Sequence, residues 1–244
     1  MKRIVIIPAR YSSTRFPGKP LALILNKPMI QWVYDASRLA ENIDDVYVAT
    51  DDKRIFDVVL SFGGKALMTS DKHTCGTDRL AECVDILDLD DNDIVLNVQG
   101  DEPLANSVLI QDLLNCFEDK EVYMGTLKKK INSEEELKNP NVVKVICDAF
   151  DYAIYFSRFS IPFERNKYTG SYYKHVGAYG YKTWFLKRMS KMGKTKLELA
   201  ESLEQLRVIE NGYKIKVNET LVETIGVDSP ENIQQVEEKI RSIK

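Results

Sequence analysis

The first 120 residues alternate short apolar, β-branched runs with helical patterns, four times over. Ile4-Val5-Ile6-Ile7, Val46 to Thr50, Ala66 to Thr69 and Ile94 to Val98 each read as a strand. Helical spacing follows each run: from Met29 to about Leu39, along Ile55, Phe56, Val59 and Leu60 until Gly63-Gly64, from Thr77 to Leu87, and over about 107–118. Few folds accept this order. Parallel neighbours need crossover connections, and crossover helices cover the sheet, so the pattern predicts an α/β fold with a mostly parallel sheet and helices on both faces. The run at 4–7 has no polar alternation, as a strand buried on both faces requires.

After residue 120 the rhythm changes. Strands at Val122 to Leu127, Val142 to Asp148 and Ala153 to Ser157 come close together, with a short acidic helix at Ser133 to Leu137. Tyr172 to Tyr181 holds another strand, 183–192 and 197–210 read as helices, and Tyr213 to Val217 as a late strand. Val222 to Ile225 is strand-like, Ser229 is placed to cap a final helix, and Leu21 to Leu25 reads as a short edge strand. There is no internal repeat or evident linker, so a single domain over 1–244 is expected, with roughly 122–220 as its distinct second region.

Composition narrows the class. The 244 residues carry 37 acids and 34 bases, a net charge of −3, which argues against a general attraction to nucleic acid. No apolar run approaches the ~20 residues that span a bilayer, and the run after Lys2-Arg3 is too short for a signal peptide. The four cysteines form no C-x-x-C pair and the two histidines give no zinc spacing. Free thiols in a reducing cytoplasm are expected.

The loop that leaves the first strand, Pro8-Ala9-Arg10-Tyr11-Ser12-Ser13-Thr14-Arg15-Phe16-Pro17-Gly18-Lys19-Pro20, holds three cations, three Ser or Thr hydroxyls and no acid. Ligands of open α/β sheets collect outside the carboxyl ends of strands. Three positive charges there suit a di- or triphosphate. The loop lacks the first glycine of G-x-x-x-x-G-K, and Pro20 follows the lysine, so it is not a Walker A loop. Side-chain cations, more than a glycine nest, would grip the phosphates.

Two acids stand out. Asp101, in Val98-Gln99-Gly100-Asp101-Glu102-Pro103, ends the most apolar strand; a carboxylate there can hold Mg²⁺ while phosphate oxygens complete its shell. The same residues also fit a plain turn before a helix. Asp228, in Gly226-Val227-Asp228-Ser229-Pro230, is the second candidate, equally explained as an acid favoured by a helix N-terminus. His73 to Arg79 forms a third polar patch, in which Thr77 serves a nucleotide base or caps a helix. In the second half, Arg158 ends a strand, and His175, Tyr179, Glu201, Glu204 and Gln205 lie beside apolar neighbours. Such groups suit a hydroxylated acid, with the arginine on its carboxylate. A satisfied core histidine and a solvated helix face explain them too.

These motifs occur in a familiar order. The loop itself, Val48-Ala49-Thr50-Asp51, Gly76-Thr77-Asp78-Arg79, Val98 to Pro103, Asn139-Pro140-Asn141 with Val143-Lys144-Val145, Tyr155-Phe156-Ser157-Arg158 with Ile161-Pro162, His175 to Tyr181, Leu203-Glu204-Gln205-Leu206-Arg207, and Gly226 to Glu231 together resemble the CMP-sugar synthetases, and among them the 3-deoxy-manno-octulosonate (Kdo) cytidylyltransferase family. The resemblance runs from residue 4 to about 238. It implies a Rossmann-like, GT-A-like three-layer nucleotidyltransferase fold, with a smaller region at 122–220 for the sugar acid and for dimerisation. It implies transfer of CMP from CTP to the anomeric hydroxyl of Kdo, with Mg²⁺ and release of pyrophosphate, by a cytoplasmic homodimer serving lipopolysaccharide or capsule synthesis. Carried onto this chain, Arg10, Lys19, Asp101 and Asp228 are the catalytic set. Ala9, Arg10, Ser13, Arg15, Lys19, Gly76, Thr77 and Arg79 bind CTP, and Asp101 and Asp228 hold the metal. Gln99, Arg158, His175, Tyr179, Glu204 and Gln205 surround the sugar acid. Cys75 departs from the family, which usually has Ser there.

On this reading the hydroxyl attacks the α-phosphorus in line, and catalysis is mostly positioning and charge neutralisation, without a dedicated protein base. Other acceptors (8-amino-Kdo, another sugar acid, a phosphonate) fit the same CTP half. A guanylyl- or uridylyltransferase would differ in its base pocket, and a non-catalytic nucleotide-binding module would bind CTP without turnover.

Overall fold

The computed structural model describes residues 1–12, 16–73 and 75–243. It divides into two compact units: Met1–Gln111 with Lys182–Ser190 and Val222–Lys244, and Asp112–Tyr181 with Lys191–Leu221.

The first unit begins with β1 (Arg3–Ala9), a small hairpin β2 (Leu23–Ile24) and β3 (Lys27–Pro28), and α1 (Met29–Arg38). Then come β4 (Asp45–Thr50), α2 (Lys53–Ser61), β5 (Ala66–Met68), α3 (Gly76–Ile86) and β6 (Ile94–Asn97). Its long strands pair in parallel in the order β6-β1-β4-β5. In register, Ile4 faces Val95 on one side and Asp45 on the other. Val5, Ile6, Ile7, Val95 and Leu96 are fully buried. Successive strand residues point to opposite faces, so both faces are covered, as expected from the unbroken apolar run. Each such side chain contributes roughly 1.5–3 kcal/mol by leaving water.

The winding of this sheet places the site. From β1 the chain adds β4 and then β5 outward, then returns to lay β6 on the other side of β1. The direction reverses between β1 and β6, which opens a crevice beyond their carboxyl ends.

Two expectations for this unit need correction. Leu21 to Leu25 makes no edge strand of the main sheet: β2 pairs with β3 alone, through a turn in which Leu25 and Asn26 adopt positive φ. Val222 to Ile225 forms no strand. That segment is held instead by Val227, which is buried with Ile24, Met29, Val236 and Ile240.

The second unit is antiparallel in character. After α4 (Ser107–Leu114) come β7 (Met124–Lys130), α5 (Glu134–Lys138), β8 (Lys144–Cys147), β9 (Ala153–Ser157) and β10 (Tyr173–Lys182). Helix α6 (Thr183–Met189) belongs to the first unit; α7 (Lys196–Glu201), α8 (Leu206–Glu210) and β11 (Lys216–Glu219) return to the second. Strand β7 pairs antiparallel with β10 and parallel with β11, and β8 pairs antiparallel with β9. The helix expected over 197–210 is two short helices. Ser202 takes a left-handed conformation (φ 53°, ψ 49°) and stops α7, at whose start the Glu198 carboxylate accepts the Thr195 N–H at 3.2 Å. The last strand starts at Lys216 instead of Tyr213.

The chain ends in α9 (Glu231–Ile243), part of the first unit. Its Val236 and Ile240 pack on Ile24 and Met29, and its Glu237 carboxylate accepts the Leu25 N–H at 2.9 Å. Among the described residues, no helix is long and apolar enough to cross a membrane.

Candidate active site

A cavity of about 430 Å³ lies beyond the carboxyl ends of β1 and β6, lined by residues of both strand ends, the cationic loop and the start of α3. Close approach makes it. A Cβ on Gly100 would stand 3.0 Å from the Pro8 carbonyl oxygen and 3.2 Å from Ile30 Cδ1, so a larger residue would press on the end of β1, which glycine lets draw close.

Lys19 opens a single 3₁₀ turn, Lys19–Leu21, after Gly18 in the left-handed region (φ 73°). Gly18 N–H donates to the Tyr11 carbonyl at 2.9 Å, and a Cβ there would meet the Tyr11 ring at 3.1 Å. The Arg54 guanidinium stacks on the same ring, 3.2 Å from its centroid, while its Nε and Nη2 bind the Asp52 carboxylate at the start of α2. The loop is thus clamped from outside by an Asp52–Arg54–Tyr11–Gly18 series. Nothing local announces it, because Tyr11 and Arg54 are far apart in sequence.

From that turn Lys19 Nζ reaches Asp101 Oδ2 at 2.5 Å and Asp228 Oδ1 at 3.5 Å. Asp228 is brought there by the main chain. The Val227 N–H donates to the Asp101 carbonyl at 2.9 Å, and the buried Val227 side chain anchors the segment. Two carboxylates remote in sequence therefore share one ammonium at the rim of the cavity. Arg10 Nη2 donates to the Cys75 carbonyl at 3.1 Å, joining the end of β1 to the start of α3. That helix begins at Gly76, with Cys75 at its N-cap position and no side-chain capping bond, so Thr77 is not the cap; it is buried in the first turn.

Ala9, Arg10, Lys19, Gly76, Gln99 and Asp101 all line this one cavity, together with Pro8, Ser12, Pro20 and Gly100. Ser13 and Arg15 lie outside the described residues. Arg79 is fully buried and turned elsewhere: it donates to Thr69 Oγ1 and, at 2.8 Å, to Asp51 Oδ2. It ties α3 to the ends of β4 and β5. Glu102 is drawn into the protein beside Asp101; burial first, and the Asp101 charge second, push its carboxyl up to about 7.

The remaining sugar-acid candidates belong to the second unit. The Thr126 hydroxyl donates to the Ala178 carbonyl at 2.8 Å across a bulge in β10, and stands 3.0 Å from His175 Nε2. With its one proton used, the hydroxyl accepts from Nε2–H, which fixes the imidazole tautomer. Burial drives His175 down to about 3, so the ring is neutral. Its ring contacts those of Phe156 and Tyr179 at 5.1 and 5.3 Å between centroids. Burial, with the Glu204 charge, pushes the Tyr179 phenol up. Gln205 is buried, and Glu204 Oε1, buried without a hydrogen bond among the described residues, has the Arg207 guanidinium 3.8 Å away.

Arg158 is engaged differently from the expectation of a carboxylate grip. Its Nε, Nη1 and Nη2 donate to the carbonyls of Glu201, Pro140 and Ser202, and its N–H goes to the Glu201 carboxylate. Sequence reading also missed Lys144. Its ammonium, fully buried, donates to the carbonyls of Asn139, Val142 and Arg158.

Residues 4–216 match the cytidylyltransferase family. The chain belongs to that family. It is a nucleotidyltransferase with an α/β fold built on a mostly parallel sheet. It is 54% identical to the 3-deoxy-manno-octulosonate cytidylyltransferase of Fusobacterium nucleatum subsp. nucleatum, over 97% of this chain and 96% of that one. It is 47% identical to the 8-amino-3,8-dideoxy-manno-octulosonate cytidylyltransferase of Shewanella pealeana, over 98% and 99%. Among solved structures, a CMP:2-keto-3-deoxy-manno-octonic acid synthetase complexed with CTP superposes with a TM-score of 0.94 at 40% identity, covering all of both chains.

Proposed function

We propose that this enzyme transfers CMP from CTP to the anomeric hydroxyl of 3-deoxy-manno-octulosonate and releases pyrophosphate. The observation that carries the reading is the convergence of Arg10, Lys19, Asp101 and Asp228 on the crevice where β1 and β6 diverge. The relatives' activities supply the nucleotide and the acceptor class.

In this reading Arg10 and Lys19 face the triphosphate and neutralise charge that gathers on the leaving pyrophosphate. The acceptor oxygen bonds to the α-phosphorus as the bond to the bridging oxygen breaks, and the acceptor proton leaves to solvent. Pre-set cations at such a point are worth several kcal/mol of barrier because they need no reorganisation. Gly76, at the start of an 11-residue helix, offers its backbone to the nucleotide. Thr77 and Arg79 support that turn from beneath.

The donors fit Mg²⁺. Asp101 and Asp228 already share one cation, the Lys19 ammonium, and both are hard oxygen donors. When bound, the ion would add positive charge to the triphosphate. For the acceptor, Glu204, Gln205, His175 and Tyr179 offer a carboxylate, an amide, a neutral imidazole and a phenol, a set suited to a polyhydroxylated acid.

A homodimer in the cytoplasm, feeding lipopolysaccharide or capsule synthesis, completes the proposal. Phe159 and Phe163 are 76% and 83% exposed on the second unit, which favours a covered face. Light scattering that returns a monomer at micromolar concentration removes the dimer. The decisive assay is pyrophosphate release with CTP, Mg²⁺ and either Kdo or 8-amino-Kdo. The Shewanella relative makes the second acceptor a fair competitor; a preference for it by orders of magnitude overturns the substrate, and no release with either overturns the activity.

A further inference from the structure

The Asp101–Asp228 pair already holds a cation. Lys19 Nζ stands 2.5 Å from one carboxylate and 3.5 Å from the other, and the lysine side chain is only 13% exposed, against 34% and 56% for the acids. The ammonium is therefore the inner partner, while the acids turn surface toward solvent. Its Cα is fixed by the turn between Gly18 and Pro20, so the charge moves only by rotation of its own stem. A divalent ion that entered between these carboxylates would meet the ammonium at contact distance, and like charges so close oppose each other strongly.

We propose that Lys19 is the resident counter-ion of the Asp101–Asp228 pair and keeps a divalent cation out of that pair until a triphosphate draws its ammonium away. The inference rests on the catalytic reading above and adds the order in which that site fills. A triphosphate in the same cavity gives the Lys19 ammonium a second anionic partner and releases the Asp101 oxygen. A second observation points the same way. Among the described residues no group of three or more His, Cys, Asp or Glu side chains could hold a metal ion. Two carboxylates alone leave most of a six-oxygen shell unfilled, and phosphate oxygens are what remain to complete it. By linkage, the nucleotide raises metal affinity by the same factor as the metal raises nucleotide affinity.

Mn²⁺ serves as the probe, its uptake by the full chain without nucleotide followed by electron paramagnetic resonance. Lys19→Met is expected to bind Mn²⁺ about tenfold or more tightly than the parent, with Lys19→Gln as the second variant should the first not fold. Lys2→Met, which removes the same charge at the opposite end of β1, is expected to stay within about twofold. Equal affinity in parent and Lys19 variants, or an equal gain in Lys2→Met, overturns the inference. Proton relaxation with Mn²⁺ and CTP separates this failure from failure of the catalytic reading. Enzyme-bound Mn²⁺ that needs CTP and Asp101, with no gain in the Lys19 variants, sinks the counter-ion role alone. No enzyme-bound Mn²⁺ even with CTP sinks both.

Discussion

The two polar clusters of this molecule are built in opposite ways. In the first unit the main chain does the positioning and the charged heads meet at a partly solvent-open rim. Asp228 is placed by the Val227–Asp101 backbone bond, Lys19 by a left-handed glycine, and the heads of both acids keep solvent contact. In the second unit the side chains bind one another and the backbone. Lys144 and Arg158 together satisfy six carbonyl groups, counting Asn139, Val142 and Arg158 for the first and Glu201, Pro140 and Ser202 for the second. The buried Arg207 is held by both oxygens of Glu198. Withdrawing a partner from a buried group costs its full desolvation penalty. Substitutions should thus cost activity in the first cluster and stability in the second.

The sharpest break is Asp101→Ala. Turnover is expected to fall about a hundred- to a thousandfold, with the melting midpoint moved by no more than about 2 °C, because a half-exposed ion pair adds little stability. Pyrophosphate release and a thermal melt on the same preparation check both halves; a large loss of stability would erase the contrast between the clusters.

Lys144→Met tests the other side. Three carbonyls lose their donor, at about 3 kcal/mol in sum, so the midpoint should drop by roughly 6–12 °C. Pyrophosphate release per folded molecule should change far less than in Asp101→Ala. Calorimetry checks the first, and a melt indistinguishable from the parent's would show that the carbonyl cluster is solvated.

His175 sharpens the comparison through pH. Its folded value, about 3, lies below the ordinary ~6.5. The unfolded chain therefore takes up the proton first, and stability is lost as pH falls from 6.5 toward 3. The loss is about 2 kcal/mol by pH 5 from this group alone. His175→Gln should flatten the stability–pH slope between pH 4 and 6.5 and leave the slope above pH 7 unchanged, as urea titrations at several pH values would show.

The smallest effect is expected at Arg54. Arg54→Ala removes the guanidinium from the Tyr11 face, an interaction worth about 1 kcal/mol. It should lower kcat/KM for CTP by up to about tenfold, with Arg54→Lys recovering part of the loss. An unchanged kcat/KM would show that the loop holds its own shape.

How much was legible in the sequence follows the same division. Strands β1 and β6 were readable because residues buried on both faces leave an unbroken apolar run, and the cationic loop and Asp101 came with them as strand-end residues. The meeting of Asp228 with Asp101 came only through the family resemblance, since a main-chain bond carries it and main-chain bonds leave no mark on residue identity. The break of 197–210 at Ser202 was hidden because a left-handed residue that is not glycine carries no local signal. Arg79 and Arg158, each a cation in a promising motif, also bond groups of their own protein, partners that residue identity does not announce.

The anchoring of Val227 has a consequence for biosynthesis. The Asp101–Asp228 pair is completed by a segment that leaves the ribosome long after Lys19 and Asp101, and α9, which pins it, emerges later still. The meeting of Asp228 with Asp101 therefore waits for α9 to be made. A nascent chain can shape the crevice at the ends of β1 and β6 before its second carboxylate is in place.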